Sequence, residues 1–124
     1  MNTSITVMNK SELENAYKNK YETIIVRGDF AVDLWKSKEA SDVDEKYKPY
    51  LGLAGAVSVG DKAAAIKSMM STEQFAEISE ATGIETEALA YAAMIGIKTV
   101  CKAFSRYDIK LSEESGTKVI LSSK

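Results

Sequence analysis

Strand-like runs stand at both ends of this chain, with an alanine-rich, helix-like middle between them. That order constrains the fold more than any single residue does. Residues 3–7 alternate, with Ile5 and Val7 on one side, and predict a short strand. Residues 23–26, Thr-Ile-Ile-Val, are β-branched or apolar on both faces, the pattern of a central strand covered on each side. Near the C-terminus, residues 107–111 have clean period-two alternation, and residues 117–121 form a second apolar run. The polar stretch between them reads as the turn of a hairpin. The expected fold is therefore α+β: a small mixed sheet of about four strands, two N-terminal and two in a C-terminal hairpin, packed against a central helical block. The whole chain, 1–124, reads as a single domain of ordinary size.

Helix signals fill the space between the strands. Ser11-Glu12-Leu13-Glu14 matches a capping box and predicts a helix burying Leu13, Ala16 and Tyr17. Strand, helix and strand in succession favour a parallel pair for the first two strands. Gly28 should break the second strand, and Asp29 should cap a helix whose inner face carries Phe30, Leu34 and Trp35. Residues 39–49 are charged and predict a weak helical turn through Val43 and Tyr47. Residues 51–60, with three glycines, read as a loop or a flexible helix start. Residues 61–70 follow as a helix with Ala63, Ile66, Met69 and Met70 available for burial. Ser71-Thr72-Glu73-Gln74 offers a second capping box, ahead of Phe75 and Ile78 and a stop at Gly83.

One long helix is then expected over residues 85–104. Its run Ala88-Leu-Ala-Tyr-Ala-Ala-Met-Ile-Gly-Ile97 carries no charge. A membrane span needs about twenty such residues, and Lys98 and Lys102 interrupt the run first, so no transmembrane span is expected. A helix apolar on every side belongs to a core or to an oligomer interface. Ala92, Ala93 and Gly96 are small enough to admit a neighbouring backbone.

The missing residue types narrow the chemistry. There is no histidine and one cysteine, Cys101, which removes the Ser-His-Asp and Cys-His arrangements and the His- or Cys-based zinc sites. Carboxylates remain, Asp plus Glu numbering 18, yet no D-x-D-x-D-G cluster is present to hold a metal. No catalytic residue, cofactor or metal ligand is therefore assigned. The net charge of −2, with Lys and Arg scattered, gives no basic footprint for nucleic acid. A single cysteine fits a reducing compartment. The start Met1-Asn2-Thr3-Ser4 has neither a basic nor an apolar leader region, so the expected location is cytoplasmic.

Several motifs have plainer explanations. Gly55 to Lys62 nearly spells a phosphate-binding loop, but Asp61 stands where Lys should be, and its charge would repel phosphate. Arg27-Gly28-Asp29 is explained by a strand end, a turn and a helix cap. Cys101 lies near Lys98 and Lys102, which could lower a thiol pKa. At helical spacing it also falls beside Ile97 and Phe104, as a small buried hydrophobe would.

The chain resembles a loose group of small uncharacterised bacterial proteins. The resemblance lies in Tyr21-Glu22-Thr23-Ile24-Ile25-Val26-Arg27-Gly28-Asp29-Phe30-Ala31. It continues in Thr82-Gly83-Ile84-Glu85 before the apolar helix, and in Phe104 and Tyr107-Asp108-Ile109. It implies a strand–helix–strand head, a Gly/Ala-rich hydrophobic middle and a short strand tail, and it carries no activity with it. This chain differs from that group in the charges of its middle: Lys62, Lys67, Glu73, Glu77 and Lys98.

The functional expectation is a non-enzymatic protein-interaction module of adaptor, inhibitor or immunity type, with self-association as a homodimer included. Its contact surface is expected within residues 43–53, at Tyr47, Pro49, Tyr50 and Leu51, where aromatics flank a proline in a charged segment. The alternative is a protein binding an apolar ligand or a membrane surface, with Met8, Met69, Met70 and Met94 as an adaptable lining. A carboxylate-only enzyme is the third reading.

Overall fold

The computed structural model describes residues 3–56, 61–112 and 117–124. Among the described residues the chain forms seven α-helices and a mixed sheet of four strands. It divides into two compact units. Unit 1 contains the chain up to Trp35 together with Lys102–Lys124, and unit 2 is Lys36–Cys101.

Unit 1 is the sheet unit. Its strands are β1 (Ser4–Val7), β2 (Thr23–Arg27), β3 (Tyr107–Leu111) and β4 (Lys118–Ser123), in the spatial order β1-β2-β4-β3. β1 and β2 are parallel, joined through α1 (Lys10–Lys18), while β4 is antiparallel to both β2 and β3. The register pairs Ile24 with Leu121 and Val26 with Val119, aligning the fully buried residues of one sheet face. On that face Val7 and Tyr107 are also buried, and α1 covers β1 and β2 with Leu13, Ala16 and Tyr17. On the opposite face Ile25 pairs with Ile120, and both are only half-buried. β2 is thus an inner strand buried on one face, not covered equally on both.

The cap of α1 is Asn9, two residues before the expected Ser11. Asn9 Oδ1 accepts from the Glu12 amide at 2.9 Å, and Glu12 Oε1 accepts from the Met8 amide at 2.7 Å. The reciprocal pair that Ser11 and Glu14 could have made is already made upstream. The helix closes with Lys20 in the left-handed region (φ 55°), its amide donating to the Tyr17 carbonyl and the Tyr21 amide to Ala16. This is the helix-ending geometry that ordinarily selects glycine. Gly28 (φ 76°) ends β2, its amide donating to the Thr117 carbonyl at 2.9 Å. α2 (Asp29–Lys36) starts directly after it. Leu34 is buried, while Phe30 and Trp35 are half-buried.

Unit 2 is helical. Two 3-10 turns, Lys38–Asp42 and Glu45–Tyr47, lead into α3 (Lys48–Ala56), then α4 (Lys62–Met70), α5 (Glu73–Thr82) and α6 (Thr86–Ile95). α6 is the hub, touching α3, α4, α5 and the first 3-10 turn. Ala88, Leu89, Ala90, Ala92, Ala93 and Ile95 are all buried on it. Alanine on every side lets several helices approach one axis closely. The uncharged run therefore begins as the core helix of its own unit.

Caps fix the other helices. Asp61 Oδ1 accepts from the Ala64 amide at 2.8 Å, which gives this residue a structural role. Ile66 and Met69 are buried as expected and Met70 is half-buried, but Ala63 is exposed and Ala65 takes its place. Thr72, not Ser71, caps α5, accepting from the Phe75 amide at 3.3 Å. Ser71 instead closes α4 by donating its amide to Lys67. Phe75 and Ile78 are buried, and Gly83 (φ 78°) ends α5.

The expected continuous helix over 85–104 is broken. α6 stops at Ile95, and α7 (Ile97–Arg106) starts after one residue, bent by 100°. Gly96 supplies the break with φ 118° and ψ 114°, backbone that a side chain would strain. Among the described residues no single helix is long and apolar enough to cross a membrane. α6 and α7 reach that length and composition only as this bent pair.

Candidate functional site

The segment expected to meet a partner forms the entry to α3 and its first turns. Asp44 opens the second 3-10 turn, its Oδ1 accepting from the Lys46 amide at 3.4 Å. Glu45 Oε1 accepts from Lys48 Nζ at 2.6 Å, and this contact raises the lysine pKa. Lys46 Nζ lies 5.1 Å from the Tyr47 ring centroid, within cation–π range. Pro49 falls in the first turn of α3, where a missing amide hydrogen costs nothing.

From Pro49 onward the helix has two faces. Leu51 is fully buried, and Tyr50 meets the Phe75 ring edge-on with centroids 5.9 Å apart. Outward lie Pro49, Gly52 and Leu53, at the spacing that places side chains together on one helix face. Leu53 is 63 % exposed, a large aliphatic side chain left in water. Nothing lies within 4 Å of where a Cβ on Gly52 would stand. Tyr47, in the 3-10 turn that precedes α3, is half-buried.

The four expected contact residues thus separate. Pro49 is exposed, Tyr47 is half-buried, Tyr50 is half-buried and partly committed to Phe75, and Leu51 is wholly committed to the core of its unit. Leu53 joins the outward face. The signal for it was the four-residue step from Pro49, which is meaningful only if the stretch is helical; read as a loop, residues 51–56 give no face.

Cys101 is half-buried, its thiol donating to the Ser41 carbonyl at 3.5 Å. Burial pushes the thiol pKa up. Lys48 opposes that shift, so the cation acting on the thiol is Lys48 from the α3 entry, whereas Lys98 and Lys102 were the sequence-based candidates. An uncharged thiol tied to a turn carbonyl is a packing element. Of the methionines proposed as a lining, Met8 is 60 % exposed in unit 1, whereas Met69 is buried and Met70 and Met94 are half-buried in unit 2. Among the described residues no three carboxylate or thiol side chains come together to hold a metal ion. The near phosphate-loop spans residues 57–60, which lie outside the described residues.

An α+β protein with a four-stranded mixed sheet and a helical middle is what these elements define. The chain matches the family model described as "Uncharacterised protein PM1101" over residues 6–124, and it belongs to that family. This agrees with the resemblance to small uncharacterised proteins drawn from its head and tail segments. No curated protein and no solved structure matches it.

Proposed function

We propose that the protein is a non-enzymatic binding module that docks a protein partner on the outward face of α3, in the manner of an adaptor, inhibitor or immunity protein. The observation that carries this reading is Leu53, 63 % exposed beside Pro49 while Leu51, two residues earlier, is fully buried. The buried side of α3 fixes the helix, so the outward side is presented without an ordering cost on binding. Tyr47, bearing Lys46 against its ring, adds an aromatic anchor of the kind that concentrates binding energy.

The test uses Tyr47→Ala/Leu53→Asp against Glu77→Ala, a control at an exposed position of α5. Tyr50 is left intact because its contact with Phe75 would confound affinity with stability. The partner recovered with the wild-type chain should bind the double variant at least about 30-fold more weakly, as expected for loss of a hot spot. The control should bind normally. Unchanged affinity in the double variant removes α3 as the docking face. Sedimentation of the wild-type chain with lipid vesicles, with no protein partner bound, would replace this reading with the membrane-surface one.

A further inference from the structure

We propose that this chain exchanges everything beyond Gly96, residues 97–124, with a second copy of itself, using Gly96 as the hinge. Two independent features lead there, and neither depends on the α3 face. The first is how unit 1 is assembled. β1 and β2 come from the N-terminal part of the chain and β3 and β4 from its end, and in the order β1-β2-β4-β3 the two halves meet along β2 and β4. Further links join the same two segments: Tyr107 stacks on Tyr17 with centroids 5.8 Å apart, and its hydroxyl donates to the Tyr21 carbonyl at 3.0 Å. Within unit 2 the Cys101 thiol donates to the Ser41 carbonyl. Each of these contacts joins a residue beyond Gly96 to one well before it. A second copy could supply either side unchanged.

The second feature is the joint itself. Gly96 alone separates two helices bent by 100°. Its amide donates to the Ala92 carbonyl at 2.9 Å, and its carbonyl accepts from the Val100 amide at 3.1 Å, so helical hydrogen bonding reaches the hinge from both sides. Rotating this one residue from φ 118° into the right-handed region would continue α6 into α7 as a single helix. It would also add intrahelical bonds across the joint. The straight form carries residues 97–124 away from their own chain and leaves β2 without β4. The copy that has opened in the same way supplies the missing strand. Exchange of an identical element in this manner is a low-cost route to a dimer.

Gly96→Ala tests the hinge, because alanine resists the left-handed φ and favours the continuous helix; the shift towards dimer should be about tenfold or more per hinge. Exchange is distinguished from side-by-side pairing by a disulfide reporter. Thr23 and Ser122 face each other across β2 and β4, and can both be made cysteine in a Cys101→Ser background. The expected result is that Gly96→Ala elutes as a dimer and, after oxidation, runs as a covalent dimer on a denaturing non-reducing gel. A folded monomer, or a dimer whose disulfides are all within one chain, overturns the proposal. If Gly96→Ala does not fold, the reporter with the native hinge is unfolded, refolded reduced at high concentration and then oxidised. Covalent dimers are expected there, and covalent monomers alone overturn the proposal.

Discussion

Replacing Leu51 and Leu53 by alanine, one at a time, measures which way α3 faces. The residues are two apart on one helix, and the substitution is the same, so helix propensity nearly cancels between them. Leu51 is fully buried, and its truncation removes a whole aliphatic side chain from the core of unit 2 and leaves a cavity. The expected cost is about 2.5–5 kcal/mol. Leu53 is 63 % exposed, so little more than a third of its surface has left water. Full burial of a leucine is worth about 1.5–3 kcal/mol, so Leu53→Ala should cost below about 1 kcal/mol. Urea unfolding followed by far-ultraviolet circular dichroism reads the difference. With a slope of about 2 kcal/mol per molar urea, the Leu51→Ala midpoint should fall by about 1–2.5 M and the Leu53→Ala midpoint by less than about 0.5 M. Equal losses, or a larger loss at Leu53, would refute the assignment of the two faces and remove the basis for a docking surface on α3.

Lys20→Gly should stabilise the protein by about 0.5–1 kcal/mol, since Lys20 holds φ 55° at the end of α1; a lower melting temperature would contradict that reading. Burial raises the Cys101 thiol pKa, so its alkylation rate should reach half-maximum above pH about 8.5, the ordinary thiol value. A midpoint at or below that pH would show a reactive thiol instead. Tyr17 is pushed up chiefly by burial, with Tyr107 adding to the shift. The folded state then keeps a proton that the unfolded chain loses near pH about 10, so stability should fall as pH rises past that value. Tyr17→Phe should flatten this alkaline slope in denaturation series, and an unchanged slope would assign the loss elsewhere.

The strands were legible because period two has a single physical reading when one face is buried. Val7 and Tyr107 lie where alternation puts them, whereas residues 23–26, read as covered on both faces, bury Ile24 and Val26 and leave Ile25 half-buried. The placement of β4 between β2 and β3 was not legible, since strand order depends on which apolar edges meet and no local pattern records it. Caps were legible as chemistry more than as position. Asn9 with Glu12 and Thr72 with Phe75 make bonds of the expected kind, displaced because several neighbouring residues could make them. Gly96 was misread because a glycine inside an alanine-rich run costs a helix only about 1 kcal/mol. Packing around α6 therefore decides whether the helix continues. The outward face of α3 was half legible: Tyr47 and Pro49 stand out by type, while Leu53 becomes visible only once residues 48–56 are helical.

A photo-crosslinking amino acid placed at position 53, compared with one at position 77 on α5, tests the central claim most directly. Irradiation in the presence of the partner should give one discrete protein adduct from position 53 and none from position 77. Adducts from 77 alone, or equally from both, would contradict docking on the outward face of α3.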